Sequence, residues 1–290
     1  MKWEDREESS NVEDQRGGGR RGLGLAAGGG GIIIIIIGAL LGVDPDLIKR
    51  FVGTLEQNAP QAKNDKPLNE TPEEHRVAKF SKVVFHDTEV VWDKIFRNAG
   101  KEYTKPTLVL FTDQVNSACG SADSAVGPFY CPGDSKVYID LSFYTDMEKK
   151  LGAPGEFARA YVIAHEVGHH VQRLMGYSQR VDEIRRKGNK VESNHASVRL
   201  ELQADYLAGV WAHHADKALK FIEPGDFESA ITAANAIGDD RLQRKARGTV
   251  VPDSFTHGTS AQRVRWFTQG FKTGSVSDAK LLFELPYNQL

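Results

Sequence analysis

"YVIAHEVGHHVQ", Tyr161 to Gln172, contains His165-Glu166-Val167-Gly168-His169, an H-E-x-x-H pattern inside a run that reads as a helix. Residues four apart on a helix share one face about 6 Å apart, so the two imidazoles are placed to bind one ion. Glu166 is rotated by about 100° from His165, which puts it out of comfortable reach of that ion but within reach of a water bound to it. Zinc lowers the pKa of bound water to about 7, and an adjacent carboxylate can take its proton while the metal polarises a carbonyl. Those are the parts of peptide hydrolysis. The competing reading is a chance coincidence of spacing.

Two imidazoles do not complete a tetrahedral site, so the pattern asks for a third ligand further along the chain. Leu200 to Tyr206, "LELQADY", carries Glu201 and Asp205 four apart among Leu200, Leu202, Ala204, Leu207 and Ala208. Two carboxylates on one face of a largely apolar helix are costly to bury without a cation or a donor. A metal and a ligand imidazole supply both. Glu201 is therefore assigned as the third ligand and Asp205 as the acceptor that orients a ligand histidine. The bland alternative is a pair of solvated carboxylates. His195 is the other candidate for third ligand, but it lies at the start of that helix, outside the apolar run.

H-E-x-G-H followed by E-x-x-A-D resembles the pattern of gluzincin peptidases related to the CAAX prenyl proteases. The stretches "ACGSADSAVGPFYCPGDSKVYIDLSFY", "AYVIAHEVGHHVQ", "LELQADYLAGVW", "AITAANAIGDDRLQ" and "FTHGTSAQRVRWF" together resemble the bacterial family named "putative neutral zinc metallopeptidase", from about Phe80 to Phe271. The resemblance implies an α+β, zincin-like hydrolase anchored in a membrane. It also implies a small sheet packed over the active-site helix, with the edge strand nearest the cleft binding substrate by strand addition. "KVYIDL", Lys136 to Leu141, is expected to be that edge. Such enzymes need a donor for the oxyanion of the tetrahedral intermediate. His257, in the loop before an N-cap at Thr259 or Ser260, is the candidate, against the reading of an ordinary loop histidine. Arg263, just beyond it, is expected to clamp a carboxylate of the substrate or of the protein itself.

The rest of the chain bounds these readings. A formal charge of −2 over 290 residues leaves no basic surplus and argues against nucleic acid as a partner. Gly22 to Val43, with six consecutive isoleucines from Ile32 to Ile37, carries no charge and is long enough to cross a bilayer as a helix. Arg16, Arg20 and Arg21 precede it and Asp44 and Asp46 follow, so the expected orientation is N-terminus inside. The expected organisation is thus a cytoplasmic segment (1–21), one transmembrane anchor (22–43), a stalk (44–70) and an extracytoplasmic zinc metallopeptidase domain (71–290). Cys119 and Cys131, in a stretch rich in Gly, Ser and Pro, lack C-x-x-C spacing and are expected to form a disulfide.

In the domain, Thr71, Pro72 and Glu74 read as a capping box opening a helix that buries Val77, Phe80, Val84, Val91 and Ile95. Pro106 to Thr112 reads as a second strand. Beyond Gly155 the chain reads as helices, Glu156 to Met175, about Asn194 to Ala215, and one from Asp226, with "SQRVDEIRRKGNKVES" as a surface connection. His170, a turn position away from the ligand face, reads as structural, and His213 and His214 as surface residues. The function expected is a zinc-dependent metallopeptidase with one Zn2+ per chain, held by His165, His169 and Glu201, acting on a peptide or protein substrate with Glu166 as general base. Two rivals are a catalytically silent, zinc-stabilised binding protein of the cell envelope and a hydrolase of non-peptide amides.

Overall fold

The computed structural model describes residues 1–16 and 70–290. Thr71 opens the first helix, α1 (Pro72–Asn98), through the expected capping box: its hydroxyl accepts from the Glu74 N–H and the Glu74 carboxylate accepts from the Thr71 N–H. Val77, Phe80, Val84 and Val91 are buried along one face, and Ile95 packs partly buried beside them.

The described residues form six strands. β1 (Val12–Asp14), β2 (Thr107–Phe111), β5 (Phe129–Cys131) and β6 (Lys136–Asp140) form one sheet in the order β1-β2-β6-β5. The first three in that order run parallel, and β5 lies antiparallel on the edge. β3 (Gln114–Ser117) and β4 (Gly120–Asp123) form a separate hairpin. Because side chains alternate across a strand, Leu108, Leu110, Val137 and Ile139 join the main helical core on one face. Val109, Phe111 and Tyr138 pack with Val115 and Ala122 of the hairpin on the other. Cys119, between β3 and β4, is bonded to Cys131 of β5, as expected from the sequence. The expectation that Lys136 to Leu141 forms the edge is corrected, since β6 lies between β2 and β5. Its residues from Val137 to Asp140 are all buried, which is the mark of a strand covered on both faces.

The helical part comprises α2 (Ser142–Lys149), α3 (Glu156–Leu174), α4 (Tyr177–Lys187), α5 (Lys190–Leu219), α6 (Asp226–Ala236), α7 (Asp239–Arg247), α8 (Ser260–Thr273) and the short α9 (Leu281–Glu284). The charged stretch expected as a connection is largely helical. Val181 is fully buried in α4, and an Asn189–Glu192 capping box starts α5 before the expected Asn194. α5 and α8 meet backbone to backbone. A Cβ on Gly209 would overlap the Phe267 carbonyl, and one on Gly270 the Tyr206 carbonyl. Gly270→Ala is accordingly expected to cost at least about 1–3 kcal/mol, because rigid main chain cannot yield as a side chain can. A thermal melt within error of wild type would show that the helices can move apart.

The fold differs from the expected anchored domain at its N-terminus. Among the described residues no helix is long and apolar enough to cross a membrane, and the apolar stretch 22–43, like the stalk up to residue 69, lies outside them. Residues 1–16 of the segment assigned to the cytoplasmic side pack against the domain. β1 pairs in parallel with β2, Val12 opposite Leu108 and Asp14 opposite Leu110. Trp3 is 3 % exposed and stacks edge-on against Phe80 at 5.3 Å. Arg6 pairs with buried Asp87, and Ser9 and Asn11 donate to buried Glu89. Arg16 lies 2.9 Å from Glu70, so the segments on either side of residues 17–69 meet. A single crossing within 22–43 would put residues 1–16 and the domain on opposite faces of a bilayer, where β1 could not join the sheet. The single-pass topology and the localisation built on it, cytoplasmic N-terminus and extracytoplasmic domain, are therefore not supported.

Candidate metal centre

α3 and α5 build the centre, and they do so because they touch closely. A Cβ at Gly168, between the two histidines, would sit 3.0 Å from the Ala204 carbonyl oxygen of α5. The small residue in His165-Glu166-Val167-Gly168-His169 thus lets Glu201, one turn earlier on α5, reach the imidazoles. Glu201 Oε2 is 3.3 Å from His165 Nε2, and Glu201 Oε1 is 3.6 Å from His169 Nε2. One ligand atom from each of His165, His169 and Glu201 lies within 4.8 Å of the others. These are the three residues the sequence assigned to a metal.

Asp205 lies one turn beyond Glu201 and is fully buried. Its Oδ1 accepts from His165 Nδ1 at 2.9 Å and from the Tyr161 hydroxyl at 2.5 Å. Arg263, from α8, closes on the same carboxylate with Nε at 2.8 Å from Oδ2 and Nη2 at 2.9 Å from Oδ1. The carboxylate that Arg263 clamps is thus the protein's own. Burial opposes ionisation of Asp205, but the Arg263 and His165 charges outweigh it and hold its pKa below the ordinary value. Burial likewise opposes a charged His165, yet Asp205 and then Glu201 raise its pKa to about 10. His169 goes the other way, to about 4, because burial dominates over the Glu201 charge. Burial opposes ionisation of the half-buried Glu201 carboxylate, but the imidazoles of His169, His165 and His257 outweigh it and hold its pKa well below the ordinary value. Two imidazole nitrogens and one carboxylate converging on one position form a donor set that fits zinc.

Glu166 points elsewhere. It is 8 % exposed, is not in the three-residue group, and lies close enough to the backbone N–H of Tyr130 in β5 for that group to favour its charged form. Burial raises its pKa to about 7, more than the neighbouring His165 charge lowers it. His257 is held by Asp239 at the start of α7. That buried carboxylate accepts from the N–H groups of Thr256, His257 and Gly258 and lies 3.2 Å from His257 Nδ1. Burial works against a charged His257, but Asp239 and Glu201 raise its pKa, so the ring lies within the field of the centre. Thr259, one of the two N-cap candidates in the sequence, caps α8, with Gln262 completing the box.

Four further histidines lie outside the centre. His170 is buried between the Tyr130 hydroxyl at 3.0 Å and the Thr104 carbonyl at 2.6 Å. His195 stacks on Tyr287 at 3.5 Å and is not part of the group. His213 and His214 contact the Phe271 and Gly274 carbonyls. Reading the sequence missed Tyr161, Gln172, Asp239 and Tyr130. Tyr161 and Gln172 fall at i−4 from His165 and i+3 from His169, a spacing that could have revealed them. Asp239 and Tyr130 come from distant segments and leave no local signal.

Comparison with known proteins agrees with the geometry. A family model described as "Putative neutral zinc metallopeptidase" matches residues 1–281, which includes the N-terminal segment that adds β1. The "Uncharacterized protein YpfJ" of Escherichia coli K12 is 47 % identical over 279 residues, covering 94 % of this chain and 96 % of the relative. The "Uncharacterized protein Rv2575" of Mycobacterium tuberculosis H37Rv is 38 % identical over 252 residues, covering 81 % of each. No solved structure matches. With the family match spanning the helices that carry His165, Glu166, His169 and Glu201, the chain belongs to the family described as "Putative neutral zinc metallopeptidase".

Proposed function

We propose that this protein is a zinc-dependent peptidase in which His165, His169 and Glu201 hold one zinc ion and Glu166 is the general base. The observation that carries the reading is the position of Glu166: buried, adjacent in sequence to the ligand His165, outside the ligand group, and beside the edge strand β5. A site built only to bind metal has no use for that carboxylate. A zinc ion held there supplies an acidified water and polarises a carbonyl.

The protein's own groups do the rest. Glu166, raised to about 7, takes a proton and returns it to the leaving amine near neutral pH. Asp205 and Arg263 fix the His165 ring, with Nδ1 toward Asp205 and Nε2 toward Glu201. His257, fixed through Nδ1 by Asp239, offers Nε2 as a donor to negative charge that develops in the transition state. β5, an edge strand antiparallel to β6, lies beside Glu166, where an extended peptide could add to the sheet.

The test is hydrolysis of an unstructured peptide library by the full-length protein. Cleavage should stop with a chelator and return on adding about one equivalent of zinc. A zinc-loaded protein that cleaves nothing in a broad library would leave the silent binding protein as the better account.

A further inference from the structure

The two histidines of the centre are supported by different chemistry. Behind His165 stands a carboxylate with an arginine on it. Behind His169 stands a chain of two neutral amides, both fully buried. Gln172 Oε1 lies 2.9 Å from His169 Nδ1. Gln172 Nε2 donates to the Leu200 carbonyl at 2.6 Å and to Gln203 Oε1 at 3.1 Å. Gln203 Nε2 in turn donates to the Ala279 carbonyl at 2.8 Å.

We infer that Gln172, locked by Gln203, is a positioning residue that sets the tautomer of His169 and so its competence as a metal ligand. The inference rests on the proposed ligand set. An isolated glutamine could present either end of its amide to the ring. Here it cannot, because a backbone carbonyl only accepts. A flipped Gln172 would put its oxygen against the Leu200 oxygen, and a flipped Gln203 would do the same at Ala279. Both amides are thus fixed from their far ends. The oxygen of Gln172 must face His169 Nδ1, the proton must sit on Nδ1, and Nε2 keeps its lone pair on the side of Glu201. The Ala279 contact also ties this ligand to the short turn Val276–Lys280, far along the chain.

Two substitutions at one position separate this role from packing. Gln172→Leu and Gln172→Glu each lose the amide donors to Leu200 and Gln203, so both should lower the melting temperature. Only Gln172→Glu keeps an acceptor for His169 Nδ1. Zinc affinity, measured by competition with a calibrated chelator, should fall about 10- to 100-fold in Gln172→Leu and stay within about threefold of wild type, or tighten, in Gln172→Glu. Equal affinities in the two variants would overturn the inference and leave the ligand set intact. No zinc binding by wild type would overturn the ligand set and this inference together. Nitrogen-15 NMR of the zinc-loaded wild type requires neither variant to fold. It should show the His169 proton on Nδ1 and a metal-bound Nε2, and the reverse pattern would overturn the inference.

Discussion

Glu166→Gln is expected to reduce peptide hydrolysis by a factor on the order of 10² to 10⁴ with zinc content nearly unchanged. The side chain is not one of the three that converge on the metal position, so its replacement leaves the ligands in place. Glutamine matches the carboxylate in size and keeps an oxygen that can accept a hydrogen bond. Burial already penalises the Glu166 charge enough to raise its pKa to about 7, so a neutral amide brings no new desolvation cost. What it lacks is basicity. A steady-state assay on the same peptides, with metal content measured on the same preparations, gives the answer. Wild-type rates in the glutamine variant would remove Glu166 from the chemistry.

The N-terminal segment carries the second large effect. Trp3→Ala should destabilise the protein by about 3–5 kcal/mol, the usual loss for a buried Trp cut to Ala. For a chain of this size that is a fall of roughly 10 °C in melting temperature. Trp3 fills a place against Phe80 with the Arg76 guanidinium 5.1 Å from its ring centre. Removing residues 2–16 altogether goes further. It exposes this apolar site, strips β1 from β2, and leaves Asp87 and Glu89 buried on α1 without Arg6, Ser9 and Asn11. Leaving a buried charge unpaired costs about 3–5 kcal/mol on its own, and total stabilities are about 5–15 kcal/mol. The truncated protein should therefore be unfolded or nearly so at 37 °C. A melt unchanged in both variants would mean that the segment does not dock.

That docking marks where the sequence was least legible. "NVED" has neither hydrophobic alternation nor length, and its partner β2 lies nearly a hundred residues on, so only the assembled sheet gives it a strand's role. The apolar run 22–43 had the composition of an anchor, and composition says nothing of where the flanking segments end up. β5 is three residues long and was overlooked, which gave its edge position to β6. The grouping of the centre's residues is legible in the sequence because its information is local. Four-residue spacings on two helices bring together His165, His169 and Glu201, and the same spacing puts Asp205 behind His165. The caps at Thr71 and Thr259 were legible for the same reason. Asp239 and the amides of Gln172 and Gln203 act through contacts between segments or through the direction of an amide, and neither is written in residue type alone.

Metal analysis of purified wild type and Glu201→Ala tests the central claim, that two imidazoles of α3 and one carboxylate of α5 hold a zinc ion. Wild type should carry about one zinc per chain, and Glu201→Ala, dialysed alongside it, should carry almost none, since two histidines alone make a weak site. Full occupancy in Glu201→Ala, or no zinc in wild type after zinc loading, would contradict it.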